Sequence, residues 1–210
     1  MATRVLNFFS DNIGQLVTLL LMFSPPPGGN LYTDEFPLAW EVIQLQGSGH
    51  SQATVTYTAT TAFFVPQIVQ GNLVTSSNSE ICLVGQQCVA AYNQTVEVIT
   101  NVTTGTPGLL TCTNETPVAA DIGIGFTDPK GDNLQPALLW TRVGVNSSVA
   151  AQFTPTLLVY AETQYQQTQI IKGEIQSPLL LSQNLVLLNP QTTYNVTINA
   201  TTGQIQLTQV

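Results

Sequence analysis

The chain of 210 residues is rich in apolar side chains and poor in charged ones, with 43% hydrophobic and 8% charged residues, whereas typical soluble domains carry roughly 25% charged residues. Four Lys and Arg residues stand against 12 Asp and Glu residues, which gives a formal net charge of -8. This charge repels phosphate backbones and anionic lipid, so nucleic acid and membrane surfaces are disfavoured as partners. With a single histidine and four basic side chains, the composition also argues against an enzyme.

The first apolar segment, residues 4–23, predicts an amphipathic helix packed on the rest of the protein. Polar residues interrupt it too often for a membrane span, and Asp11 and the prolines at 25–27 do not suit a secretory leader. We therefore expect an intracellular protein, with secretion as the alternative. Apolar residues recur at steps of three and four, as on one face of a helix: Val5, Phe8, Phe9, Ile13, Leu16, Leu19, Leu20 and Phe23.

After a Pro/Gly break at 24–30, residues 31–210 have the pattern of a β body. Short runs of β-branched and aromatic residues alternate with Gly, Pro, Asn and Ser clusters. We predict one hairpin that joins 38–46 to 53–64 through GSGHS, another that joins 193–199 to 203–209, and a further strand at 166–175. The predicted fold is all-β: a single domain over 1–210, an antiparallel β-sandwich or a closed barrel with the one N-terminal helix.

Self-association is expected from the composition of the predicted strands. Lysine side chains commonly block strand addition at sheet edges, and this chain has few of them. A homodimer is the simplest closed assembly. Cys112 could bridge two subunits, and Cys82 and Cys88 could form a disulfide across a short loop, but buried free cysteine is the commoner alternative for all three.

Acidic residues suggest one candidate metal site. Asp128, Asp132 and Asn133 surround a Pro-Lys-Gly turn, and clustered carboxylate and amide oxygens are what calcium-like divalent cations need. The same residues are also ordinary turn formers. A second acidic pair, Asp34 and Glu35, is expected to form solvated loop ends, because adjacent residues on an extended chain point to opposite faces.

Aromatic residues within the strand-like runs could line a core or a ligand pocket. Trp40 and Trp140 are the leading ligand-binding candidates, since tryptophan has the largest stacking face and an N–H that can orient a carbonyl. Tyr57, Tyr160 and His50 are the further candidates. The remaining strand aromatics are Phe63, Phe64, Phe126 and Phe153. Core packing explains each of these residues equally well when it is taken alone.

The opening MATRVLNFFSDNIGQLVTLLLMFSPPPGG and the run PLAWEVIQLQGSGHSQATVTYTATTAFF make the whole chain similar to the pink chromoproteins of oyster mushrooms. The resemblance carries over no ligand residues. It implies a non-enzymatic protein that binds a small aromatic chromophore and colours a fungal fruiting body. The competing hypothesis is a lectin-like sandwich that binds carbohydrate, with metal assistance as an option, through Asp128, Asp132, Asn133 and Trp140.

Overall fold

The computed structural model describes residues 3–152 and 154–210, so Phe153 lies outside the described residues. Strands make up 59% of the structure. They are β1 (Arg4–Asp11), β2 (Val17–Phe23), β3 (Glu35–Pro37), β4 (Glu41–Leu45), β5 (His50–Tyr57), β6 (Thr60–Val69), β7 (Leu73–Ile81), β8 (Gln86–Asn93), β9 (Val96–Thr104), β10 (Leu110–Asn114), β11 (Ala120–Thr127), β12 (Gln135–Val143), β13 (Ser148–Ala151), β14 (Thr156–Ala161), β15 (Leu179–Asn184), β16 (Gln191–Ile198) and β17 (Ile205–Gln209). A short 3-10 turn, Leu185–Leu187, follows β15.

The predicted N-terminal helix is wrong, because residues 4–23 form the two strands β1 and β2. Asn12 and Gly14 have positive φ angles of 47° and 88° and turn the chain between them. All seven residues of β2 are buried. A strand buried on both faces has no alternation of apolar and polar residues, so its sequence is easily mistaken for part of a helix.

The first sandwich stacks two four-stranded sheets, β17-β16-β1-β5 and β15-β14-β2-β4. β1 pairs with β16 in parallel, and the other pairings of these two sheets are antiparallel. Both sheets contribute to one apolar core, which includes Leu6, Phe8, Leu19, Leu21, Phe23, Val55, Tyr57, Leu157, Val159, Tyr194 and Val196. Burial of these side chains is the main stabilising contribution to this half of the fold.

The second sandwich stacks the sheet β3-β12-β11-β6-β7 on the sheet β13-β10-β8-β9. Its core contains side chains from both sheets, including Phe63, Cys82, Cys88, Ile99, Leu110, Cys112, Ile122, Ile124 and Leu138. Gly123 in β11 leaves room for a neighbouring ring, because a methyl group at that position would overlap the ring of Phe64. All three cysteines lie in this core, and all three are free thiols.

Residues 162–178 cover the outer faces of two of these sheets, and the strand predicted at 166–175 does not form. The segment makes only isolated bridges, Leu38 with Ile170 and Leu73 with Gln169. Ile170 packs with Phe64 and Leu139 outside β6 and β12, and Ile171 packs with Leu20 and Met22 outside β2. This cover explains why β2 is apolar on both faces.

The GSGHS segment is an arch between sheets and not a hairpin turn. β4 pairs with β2, whereas β5 pairs with β1 in the facing sheet. The turn between β1 and β2 is a second arch stacked on the first: the N–H of Asn12 donates to the carbonyl of Gly49 at 2.9 Å, and that of Gly14 to the carbonyl of Gly47 at 2.7 Å. The predicted hairpin at the C-terminal end of the sequence is confirmed, since Tyr194 pairs with Gln209 and Ile198 with Ile205.

Each of the four sheets formed by the described residues has two edge strands, so the predicted closed barrel is wrong. The all-β, sandwich-like fold is confirmed. Within the described residues, no helix is both long and apolar enough to cross a membrane.

Candidate functional site

Trp140 lies near one end of β12, where the second sandwich is incompletely covered. It pairs across the sheet with Glu35 of β3 and packs against the core of the second sandwich. β13, which faces β12 from the opposite sheet, is only four residues long. The indole is therefore half-buried, with part of its surface open to a cleft.

A β-bulge beside Trp140 places Arg142 at the same cleft. The register between β11 and β12 shifts at Asp121, and Arg142 has a positive φ of 55°. The N–H of Arg142 donates to Oδ1 of Asp121 at 2.8 Å, which holds the bulge. Bulges of this kind re-aim side chains at the ends of sheets.

Two clefts have volumes of about 560 Å³ and about 420 Å³, and the smaller one lies beside Trp140. The cleft beside Trp140 is lined by Asp34, Trp140, Thr141, Arg142, Val143, Gly144, Ser147 and Val149. It combines the indole of Trp140, a guanidinium, a carboxylate and two hydroxyl groups. Such a set can stack on a flat ring and hydrogen-bond its polar substituents.

The charged groups of this cleft are held loosely and face solvent. Nη2 of Arg142 lies 3.5 Å from Oδ1 of Asp34, and their side chains are 75% and 46% exposed. Oδ2 of Asp34 accepts a hydrogen bond from Nδ2 of Asn30 at 3.2 Å. The backbone carbonyl of Asp34 accepts from the N–H of Thr141 at 2.8 Å, which ties the loop before β3 to β12. Both charges are thus free to adjust to a ligand.

Glu35 is buried, unlike its neighbour Asp34, and it is not the solvated loop end that the sequence predicted. It is only 2% exposed, and its Oε1 has no hydrogen-bond partner within the described part of the chain. Burial raises the pKa of the Glu35 carboxyl above its ordinary value of 4.5. Asp34 is half-exposed at the cleft, whereas Glu35 is buried, so the prediction of a solvated loop end is wrong for Glu35.

Trp40 and Tyr57 lie together in the core of the first sandwich. Phe23 and Phe126 join them, with ring centroids 4.9 Å apart for Phe23 and Trp40 and 4.9 Å apart for Tyr57 and Phe126. Trp40 is 1% exposed, and its indole N–H donates to Oε1 of Gln135 at 3.3 Å. Burial raises the pKa of Tyr57 to about 12. Neither residue lines the cleft beside Trp140, and core packing accounts for both.

Tyr160 and His50 lie at two other places on the molecule. Tyr160 packs with Tyr32 and Tyr165 on the outer face of β14, where burial raises its pKa. His50 is exposed at the start of β5, where its Nδ1 lies 2.8 Å from Oδ1 of Asp11. A hydrogen bond with Asp11 raises the pKa of His50. The five predicted ligand-binding residues are therefore not brought into one site.

The predicted metal ligands form a hydrogen-bonded turn. Oδ1 of Asp128 accepts from the N–H groups of Lys130 and Asp132, both at 2.9 Å, and its Oδ2 accepts from Nδ2 of Asn133 at 3.1 Å. Burial acts to raise the pKa of Asp128, but these hydrogen bonds outweigh it and the pKa is lowered. No group of three His, Cys, Asp or Glu residues in the described ranges could hold a metal ion. The turn accounts for these three residues, and a metal remains only a prediction.

The larger cleft, of about 560 Å³, lies between β15 and β17 at the open side of the first sandwich. None of the residues that line this cleft has a charged or an aromatic side chain. Leu179, Leu180, Ile205 and Leu207 provide its apolar surface, and Gln204 and Gln206 provide amides. No pattern in the sequence indicates this cleft.

Comparison with protein-family models, with curated proteins and with solved structures gives no match to this chain.

Proposed function

We propose that the protein is a non-enzymatic binder of a small, flat aromatic pigment, and that the pigment stacks on Trp140 in the cleft formed with Asp34 and Arg142. The observation that carries this proposal is the position of Trp140. It alone among the five candidate ligand-binding residues lines one of the clefts described above. A half-exposed indole beside a guanidinium and a carboxylate suits a planar ligand that carries polar groups.

The size of the cleft supports a small-molecule ligand. Its volume of about 420 Å³ falls within the range of roughly 300–1,000 Å³ that is common for such sites. Asp34 and Arg142 lie at the same cleft, so their opposite charges would polarise a conjugated ligand and shift its absorption band. The resemblance to the pink chromoproteins of oyster mushrooms points to the same kind of ligand, and to colouring a fungal fruiting body as its role.

The absorption spectrum of the protein purified from its natural source tests this proposal. A visible band that co-purifies with the protein and is lost on denaturation supports pigment binding. The proposal is contradicted if the protein is colourless when purified from its natural source and if aromatic dyes do not quench the fluorescence of Trp140.

Carbohydrate binding is a second candidate for the same cleft. Sugars stack their apolar faces on tryptophan and use carboxylates, guanidinium groups and hydroxyls as hydrogen-bond partners, and Asp34, Thr141, Arg142 and Ser147 surround Trp140. Asp128, Asp132 and Asn133 do not line this cleft, so a metal held at their turn would not touch the sugar there. Agglutination of cells that free sugar inhibits, by colourless protein, would favour this candidate over the pigment.

A further inference from the structure

β17 is an edge strand whose outward backbone groups can be assigned from its pairing with β16. Among the strands of the described residues, it pairs with β16 on one side and with none on the other. The N–H of Val210 donates to the carbonyl of Thr193, and that of Asn199 donates to the carbonyl of Gln204. Because inward and outward groups alternate along an antiparallel strand, Ile205, Leu207 and Gln209 direct their N–H and C=O groups away from β16.

This edge lacks the features that usually prevent strand addition. Residues 175–210 contain no Asp, Glu, Lys, Arg or His. Within β17 there is no proline, no positive φ and no shift of register against β16. Charged residues, prolines and bulges are the usual protection of sheet edges.

Most of the other edge strands carry such protection. Glu35, Glu41, Glu80 and Glu97 lie in β3, β4, β7 and β9, and His50 lies in β5. β13 and β15 also lack charged residues, but β13 is the shortest of the three uncharged edges and the pairing of β15 with β14 contains a register shift. β17 is therefore the regular, uncharged edge on which another strand can add.

We propose that two copies of the chain pair edge to edge through β17, in antiparallel orientation, with Leu207 opposite Leu207 of the partner. In this register Ile205 lies opposite Gln209 of the partner copy, so outward N–H and C=O groups meet each other along the strand. The pairing is self-complementary, as a two-fold symmetric dimer requires.

A second copy is the occupant that the charge distribution favours. Each copy carries a net charge of -8, so two copies repel each other wherever their acidic residues approach. The uncharged segment 175–210 lets them meet with little repulsion. Leu179, which is 47% exposed and lines the cleft beside β17, offers apolar surface next to the joined strands.

The first test compares Gln209→Pro with its matched control Gln209→Ala by sedimentation velocity. Both variants lose the same exposed side chain, but only proline removes the outward N–H, and it leaves the hydrogen bonds to β16 in place. We expect the wild type and Gln209→Ala to sediment as dimers, at twice the 22.6 kDa of one chain, and Gln209→Pro as a monomer at the same tens-of-micromolar concentration. A wild-type monomer, or a dimer equally resistant to both substitutions, overturns the proposal.

A second variant keeps the test valid if proline disturbs folding. The double substitution Gln206→Lys and Thr208→Lys places lysines opposite each other across the proposed interface, on the exposed face of the strand. We expect a dissociation constant at least tenfold higher in low salt, with the loss partly reversed in high salt because screening weakens the repulsion. A dissociation constant that these charges do not change contradicts pairing through β17.

Discussion

Gly29 lies directly against the carboxylate of Glu35, so closely that a methyl group at position 29 would overlap Oε2. The loop between β2 and β3 therefore seals a carboxylate that has no partner for its Oε1 among the residues described. An ionised carboxylate without full hydrogen bonding is costly in such a place. The buried carboxylate of Glu35 therefore lowers the stability of the fold. Its neighbour Asp34 lines the proposed pigment cleft.

Replacing Glu35 with Gln is expected to stabilise the protein at neutral pH. Burial raises the pKa of Glu35 in the folded state above 4.5, so the wild type loses stability as pH rises through that raised pKa, and the amide variant does not. We expect a gain on the order of 1 kcal/mol at pH 7, about the cost of burying a polar group that lacks a hydrogen-bond partner. Urea unfolding at pH 7 measures it.

The control for Glu35→Gln is the same measurement at a pH well below 4.5, where the wild-type carboxyl is protonated in both the folded and the unfolded state. The stability difference should shrink towards zero there. An equal difference at both pH values would show that the effect comes from packing and not from ionisation.

Leu20 and Leu16 distinguish the observed strand from the helix that the sequence suggested. A helix with the predicted apolar face would bury both side chains, but Leu20 is 0% exposed and Leu16 is 54% exposed. Leu20→Asp should lower the free energy of unfolding by on the order of 4 kcal/mol, since it buries an unpaired charge. Leu16→Asp should change it by less than about 0.5 kcal/mol. Equal losses in thermal or urea unfolding would contradict the strand assignment.

Sequence patterns predicted the elements whose signals are local. β16 and β17 alternate apolar and polar residues on either side of a Gly-containing turn, and their hairpin forms as expected. β2 was missed because both of its faces are buried and it shows no period of two. The GSGHS arch was missed because an arch and a hairpin use the same turn residues, and only long-range pairing of β4 and β5 tells them apart.

The candidate site was predictable only in part, for the same reason. Trp140 could be proposed from the properties of tryptophan alone. The pairing of Arg142 with Asp34, which are 108 residues apart, depends on β3 adding to the edge of β12 and on the bulge at Asp121. Nothing local to LYTDEFPLAW indicates that Glu35 is buried, because a three-residue strand has too few residues to show a pattern.

The three cysteines are expected to be reduced and slow to react in the native protein. Cys88 lies opposite Cys112 in the parallel pairing of β8 and β10, and all three thiols are buried. Hydrogen bonds with Cys112 and Cys82 raise the pKa of Cys88, whereas a hydrogen bond with Cys88 lowers the pKa of Cys82. The slow reaction expected of all three thiols therefore rests on their burial. A thiol reagent should label none of them rapidly before unfolding and all three after it.

Non-reducing electrophoresis and intact mass provide the check on the cysteines. A disulfide-linked dimer, or a native mass lower by two hydrogen atoms, would contradict the free, buried thiols of the structure. Because Cys112 is buried in the core of the second sandwich, the proposed dimer through β17 should form equally well in reducing buffer.

Substitution of the two tryptophans distinguishes a pigment contact at Trp140 from core packing at Trp40. Trp→Phe keeps most of the apolar volume but removes the N–H and reduces the stacking face. Trp40→Phe should cost about 2 kcal/mol, because it removes the buried bond to Gln135 and core volume, and the pigment-loaded protein should keep its absorption spectrum.

The most direct measurement is therefore the visible absorption spectrum and the pigment dissociation constant of Trp140→Phe, with Trp40→Phe as the matched control. We predict that Trp140→Phe shifts the visible band and weakens pigment binding at least tenfold while stability changes by less than about 1 kcal/mol, since Trp140 is only half-buried. An unchanged band and an unchanged dissociation constant in Trp140→Phe would rule out this cleft as the pigment site.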